Sequence, residues 1–172
     1  MAHGEATVVI RRPAKEVLGF VMDLHEYRKI DKKLGVIRWL RRDGDTVTFH
    51  FRPWLLGLPG PVTTQRLVRT GDSRIDISPP VPGWQDRLAG FKASFVCHDH
   101  PEGTTVTRRL DFTLSPALRW FLDPILTRWL KAEVPREIAA AKLAWSAESA
   151  PQALRSSRAR RGSPPLTMKP LI

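Results

Sequence analysis

Residues 117–137 read ALRWFLDPILTRWLKAEVPRE, with Pro116 just before them. The composition is helical, but the apolar residues fall on more than one side. Leu118, Leu122, Ile125, Trp129 and the later Leu143 share one face, and Trp120, Phe121, Leu126, Leu130 and Val134 widen it. A helix packed on one neighbour needs only one apolar stripe, so this spacing predicts a helix held on two sides. Ser115 is placed to act as N-cap with Pro116 at the first helical position, and the helix is expected to end near Trp145. Pro124 and Pro135 lie inside it, which predicts a kink or a one-turn break at each.

Upstream, the chain reads as a sheet. EATVVIRR (5–12) holds a β-branched run from Thr7 to Arg11, a first strand closed by Pro13. PAKEVLGFVMDLHEY (13–27) opens on a proline and repeats apolar residues at Val17, Phe20, Val21 and Leu24, the spacing of an amphipathic helix. YRKIDKKL (27–34) is mixed, with room for a second short helical turn. GVIRWLRRDGDTVTFHFRP (35–53) is a hairpin, its arms Val36–Arg42 and Thr46–Arg52 flanking an Asp-Gly-Asp turn. PWLLGLPGP (53–61) has three prolines and two glycines and reads as irregular. VTTQRLVRT, SRIDISP, RLAGFKASFVCH and TTVTRRLDFTL follow as strands, separated by a Gly71-Asp72 turn, the loop PVPGW and the turn DHPEG. Seven strands, one helix after the first and one long helix after the last make an α+β order in which the sheet has one main helical partner.

Length and composition bound the rest. A chain of 172 residues, 42% hydrophobic and 26% charged, suits one globular domain with its own core, here residues 1–147. Residues 148–172, rich in Ser, Pro and Arg, read as a basic, disordered tail whose removal should leave the melting temperature nearly unchanged. No run approaches the roughly 20 apolar residues of a membrane span, and MAHGEATVVIRR lacks the order of a signal peptide, so the expected location is the cytoplasm. The single Cys97 excludes an intrachain disulfide and a cysteine-clustered zinc site. The net charge of +11 is scattered: residues 148–172 carry a net +4, and the other +7 is spread singly over strands and helices. With no nucleic-acid motif beside it, this charge describes a solvated surface and no specific nucleic-acid partner.

With this order of elements the sequence resembles the helix-grip superfamily (SRPBCC), which includes START-like lipid-transfer domains, the birch-pollen allergen type and the polyketide cyclase/dehydrase family. The resemblance covers residues 5–147. VVIRRPAKEVLGFVMDLHEYRKI (8–30) looks like that group's opening strand, proline-led helix and following segment, and PEGTTVTRRLDFTL (101–114) like its last hairpin. It implies a helix-grip fold, a seven-stranded curved antiparallel sheet wrapped around a long C-terminal helix. It also implies a deep, mostly apolar pocket between sheet and helix, used by different members for lipids, hormones or polyketide intermediates. Fold alone does not determine function.

Alternation along the strands assigns Val47, Phe49, Phe51, Ile75, Ile77, Phe91, Phe95, Cys97, Val106, Leu110 and Phe112 to the inner face. Arg108 shares their parity. A guanidinium inside an apolar pocket needs an anionic or carbonyl partner, so Arg108 either anchors the acidic or oxygenated head of a ligand, or is paired by Asp or Glu or turned outward by a bulge. Arg66, alternating with Val62, Thr64 and Val68, is a second candidate. Trp129 on the helix and Trp54 and Trp84 on loops complete the candidate ligand-binding set, the loop tryptophans either lidding the pocket or packing on the helix. His98 and His100 straddle a turn with no third ligand nearby, and read as turn residues. Cys97 and His98 are adjacent on a strand and project oppositely, so they form no nucleophile–base pair. No phosphate loop, Ser/His/Asp signature or Rossmann glycine pattern is present, and no cofactor is expected.

Three functions remain. The first is a carrier or sensor, monomer or homodimer, of a hydrophobic small molecule. The second is a cyclase/dehydrase-like, aromatase-type enzyme in which Arg108 or Arg66 polarises a carbonyl; His50, sharing parity with Thr48 and Arg52, should face water. The third is a module making transient membrane contact through residues 118–131, where Trp120 and Trp129 alternate with Arg119, Arg128 and Lys131. The two prolines and the place at the domain's end argue for burial of that segment instead.

Overall fold

The computed structural model describes residues 1–148. Its sheet uses β1 (Ala2–Ile10), β2 (Ile37–Asp43), β3 (Thr46–Phe51), β6 (Thr63–Thr70), β7 (Arg74–Ser78), β8 (Gly90–His100) and β9 (Gly103–Leu114). The spatial order is β1-β9-β8-β7-β6-β3-β2, with every neighbouring pair antiparallel. Helices α1 (Ala14–Met22) and α2 (Leu24–Tyr27) follow β1, and α4 (Pro116–Glu148) closes the chain. This is the helix-grip α+β fold that the order of elements predicts. Residues 149–172, where a tail is expected, lie outside the described residues.

Period-two alternation decides which face of the sheet is inside. Val47, Phe49 and Phe51 on β3, Ile75 and Ile77 on β7, and Val106, Arg108, Leu110 and Phe112 on β9 are all buried. Asp23 Oδ1 accepts from the backbone N–H of both His25 and Glu26, capping α2 and turning the chain sharply after α1. Val17, Leu18, Val21 and Met22 of α1 then join the core beside Leu24 and Tyr27.

Several expectations are corrected. Residues 53–61 are not wholly irregular: β4 (Trp54–Leu55) and β5 (Leu58–Pro59) pair as a miniature ladder. Leu56 and Gly57 turn it with positive φ, and Pro59 sits at an edge, where its missing N–H costs no ladder bond. A further short helix, α3 (Trp84–Ala89), precedes β8, started by Asp86, whose carboxylate accepts from the Gly83 N–H at 2.7 Å. Ser115 does not cap α4 through its side chain: its carbonyl accepts from Leu118 and Arg119, while its buried hydroxyl has no partner.

Helix α4 is continuous across Pro124 and Pro135. Both prolines lie on the exposed face, so the carbonyls they leave without donors can turn to water. Its buried stripe is Leu126, Leu130, Val134, Ile138, Ala141 and Trp145, a near-regular i+4 row. Leu118, Trp120, Phe121, Ile125 and Leu143, expected within the grip, are exposed, with Trp120 at 79%. β1 approaches the middle of α4 closely at Gly4, where a Cβ would lie 2.7 Å from Leu130 Cβ.

Candidate functional site: an apolar cavity with an ionic base

A cavity of about 160 Å³ opens between the inner face of the sheet and the α1–α2 region. The sheet supplies Phe49, Phe51, Gln65, Leu67, Ile77, Phe91, Arg108, Leu110 and Phe112, and the other wall is Val21, Leu24, Tyr27, Asp31, Lys33 and Leu34. Pro53, Leu55, Pro61 and Thr63, with Asp86 and Ala89 of α3, complete it. None of the described α4 side chains lines it, so the expected position between sheet and C-terminal helix is corrected. The stretch from Leu24 to Leu34 intervenes, because α2 turns back over the sheet and places Tyr27 and Asp31 between α4 and the cavity.

At the base of the cavity four ions meet. Lys33 Nζ lies 2.6 Å from Glu137 Oε2 and 3.1 Å from Asp31 Oδ1. Arg108 Nε is 3.3 Å from Glu137 Oε1, not aligned for a hydrogen bond, and Nη2 is 3.8 Å from Asp31 Oδ2. The Tyr27 hydroxyl donates to Glu137 Oε1. Phe95 lies under the Arg108 guanidinium at 4.2 Å and meets Tyr27 edge-on. Asp31, Arg108 and Glu137 are 2–4% exposed, an arrangement tolerable only because each charge faces an opposite one.

The two carboxylates are driven apart. Burial, then the nearby Glu137, push Asp31 up to about 6 despite Lys33 and Arg108. Burial would raise Glu137 too, but Arg108, Lys33 and the hydrogen bonds from Lys33 and Tyr27 hold it below the usual carboxylate range. Burial and the negative charge of Glu137 push the Tyr27 phenol well above its ordinary value. Lys33, which burial alone would lower, is raised by Asp31 and Glu137. Of the two carboxyls, Asp31 is therefore the one held above the usual carboxylate range and Glu137 the one held below it.

Of the sequence-predicted residues, Arg108, Phe49, Phe51, Phe91 and Leu110 line the cavity. Arg66 does not: Gln65 and Leu67 take the inner face of β6, so Arg66 between them points to solvent. Phe95 is fully buried behind Arg108 and is not part of the cavity wall. Trp54 and Trp129 line a separate open cleft with Lys32, Lys33, Gly57 and Glu133, where the Trp54 ring covers Gly35. Trp84 is 69% exposed on α3. His50 stacks on Trp39 on the outer face and bonds Thr64. Burial pushes the Cys97 thiol up to about 11, with Arg69 opposing, as suits an unreactive core side chain.

Tyr27, Asp31, Lys33, Gln65 and Glu137 were not singled out from the sequence. Two carried a signal. Gln65 shares parity with Leu67, and Glu137 lies three residues past Val134 on the apolar row of α4. Asp31 and Lys33 lie in an irregular segment with no period to read.

A curved antiparallel sheet closed by a long terminal helix, with an apolar cavity and a polar base inside it, is the helix-grip fold. The chain belongs to the polyketide cyclase/dehydrase and lipid transport family, whose pattern it matches over residues 1–146. No curated protein sequence matches it. Among solved structures it is similar to TTHA0849 from Thermus thermophilus (16% identity, 86% of this chain and 99% of that one, TM-score 0.70). It is also similar to the Zhui aromatase/cyclase from Streptomyces sp. R1128 (18% identity, 94% and 98%, TM-score 0.58). A START superfamily protein from Mycobacterium smegmatis compares at 17% identity, 82% and 94%, and TM-score 0.60. At these identities the likeness is one of fold.

Proposed function

We propose that the protein binds a hydrophobic small molecule in the cavity, with Arg108 orienting an oxygen of the ligand. The observation that carries this is the composition of the walls: aromatic and aliphatic side chains from two sides converge on one ionic cluster, the pattern of a binding site in which apolar burial supplies affinity and a few polar groups supply orientation. Size narrows the class. A dry apolar cavity of roughly 150 Å³ accepts benzene, so at about 160 Å³ the space suits one ring-sized portion of a ligand. Native mass spectrometry of protein purified from its own host should show a co-purifying hydrophobic molecule. Its absence, together with no uptake of small aromatic probes, would remove the binding role.

A cyclase/dehydrase-type reaction in the same cavity is favoured by the placement of a buried carboxyl, Asp31, in the cavity wall beside Lys33 and Arg108, where burial and Glu137 push it up to about 6, suited to proton transfer at neutral pH. If the wild type and Asp31→Asn release ligands of the same mass, the molecule is carried unchanged; different masses indicate a transformation. Membrane contact draws on the exposure of Trp120, Phe121 and Trp84, contrary to the burial expected for that segment, with Arg119, Arg128 and Lys131 on the same helix. Co-sedimentation with anionic phosphatidylserine vesicles at physiological salt, abolished by Trp120→Ser with Phe121→Ser, tests it.

A further inference from the structure

The charges at the cavity base cancel. Arg108 and Lys33 face Asp31 and Glu137, two cations against two carboxylates, and the other acidic side chain lining the cavity, Asp86, adds a negative charge near α3. Tyr27, held protonated, adds none. Both positive groups are thus already committed. A ligand carboxylate brought to Arg108 would compete with Asp31 and Glu137 for one guanidinium and set three anions around it, while losing its own hydration.

Hydrogen bonding nevertheless remains open at two lining side chains. Arg108 Nη1 and Gln65 Oε1 are buried with no hydrogen-bond partner, and both residues are only 2% exposed. They stand on the same sheet wall but apart, Arg108 on β9 and Gln65 on β6, with β8 and β7 between them. Buried polar groups left in this state reject ligands that cannot bond them and favour those that can.

We propose that the cavity selects an uncharged, oxygenated hydrophobic molecule, one that offers a carbonyl-type acceptor to Arg108 and a hydroxyl donor to Gln65, and that it discriminates against carboxylates and phosphates. This rests on the binding role proposed above. The test uses three probes with one ring skeleton, 2-acetylnaphthalene, 2-naphthol and 2-naphthoate, titrated calorimetrically into the full chain at pH 8, where Asp31 is ionised. The two neutral probes should bind, and naphthoate should bind at least about tenfold more weakly. Asp31→Asn adds one positive charge to the balance and should tighten naphthoate at least about fivefold relative to the neutral probes. Gln65→Leu should weaken naphthol and spare acetylnaphthalene; Gln65→Met replaces it if circular dichroism shows the leucine variant misfolded. Naphthoate binding as tightly as the neutral probes, or an Asp31→Asn effect equal on all three, overturns the selection of neutral ligands and leaves the binding role standing. No binding of any probe overturns both.

Discussion

Arg108→Met puts the ionic cluster under the most direct strain. The residue is 2% exposed, touches Glu137 and Asp31, and rests on the Phe95 ring. Methionine keeps the length of the stem and can still place sulfur against Phe95, so the main loss is electrostatic: two buried carboxylates are left with Lys33 alone. Removing one partner from a buried ionic group costs about 3–5 kcal/mol. For a domain of this size each kcal/mol shifts the melting temperature by about 2–4 °C, so a fall of about 10 °C is expected at pH 7. The deficit must depend on pH with a definite sign. Arg108 is one of the charges holding Asp31 down, so in the variant Asp31 titrates above the value of about 6 that it has in the wild type. An acid whose folded value is raised contributes stability that is present at low pH and lost as pH rises through that value. The variant should therefore lie closer to wild type at pH 5 than at pH 8. Adding Asp31→Asn leaves Lys33 and Glu137 as a neutral pair and should recover about 2 kcal/mol of the loss. Urea titrations of the wild type, Arg108→Met, Asp31→Asn and the double variant at both pH values provide the assay. A cost below about 1 kcal/mol at pH 7, or a double variant less stable than Arg108→Met, would refute the charge balance inferred for the cluster.

Three further outcomes are expected. In the wild type Asp31 titrates at about 6 when folded, against 3.8 as its ordinary value, so stability from this group falls by about 1 kcal/mol between pH 5 and pH 7; urea titrations of Asp31→Asn should lack that slope. Gly4→Val should destabilise by about 1–3 kcal/mol in thermal melts, because even a Cβ there would lie 2.7 Å from Leu130 Cβ and 3.2 Å from the Leu130 backbone carbon; an unchanged melting temperature would show that α4 can move away. Cys97, buried and pushed up to about 11, should react with a thiol reagent at pH 8 on the order of a hundredfold more slowly than a free cysteine, and denaturation should restore the ordinary rate.

Much of the fold is legible because it depends on period. The inner face of the sheet follows from alternation in β3, β7, β8 and β9, and that includes Arg108, whose parity with Val106 and Leu110 marks it as inward against the usual preference of arginine. The same reasoning overlooked Gln65, though its neighbour Arg66 was the residue weighed and the two must point oppositely. Tryptophans outside the sheet were the hardest to place. Trp54, Trp84 and Trp129 are large and apolar enough to be read as pocket walls, yet their positions depend on the β4–β5 turn, on α3 and on the first half of α4, none of which carries a long period.

The sequence by itself determined the order of the seven main strands and the two main helices, the inward faces and the inward parity of Arg108, since these follow from side-chain spacing along one element. Only the tertiary structure decided what meets that arginine. Asp31 and Glu137 reach it, and Lys33 pairs with both of them, from a short irregular segment and a helix more than a hundred residues further along the chain. Electrostatic pairing acts through distance in space, which spacing along the chain does not encode.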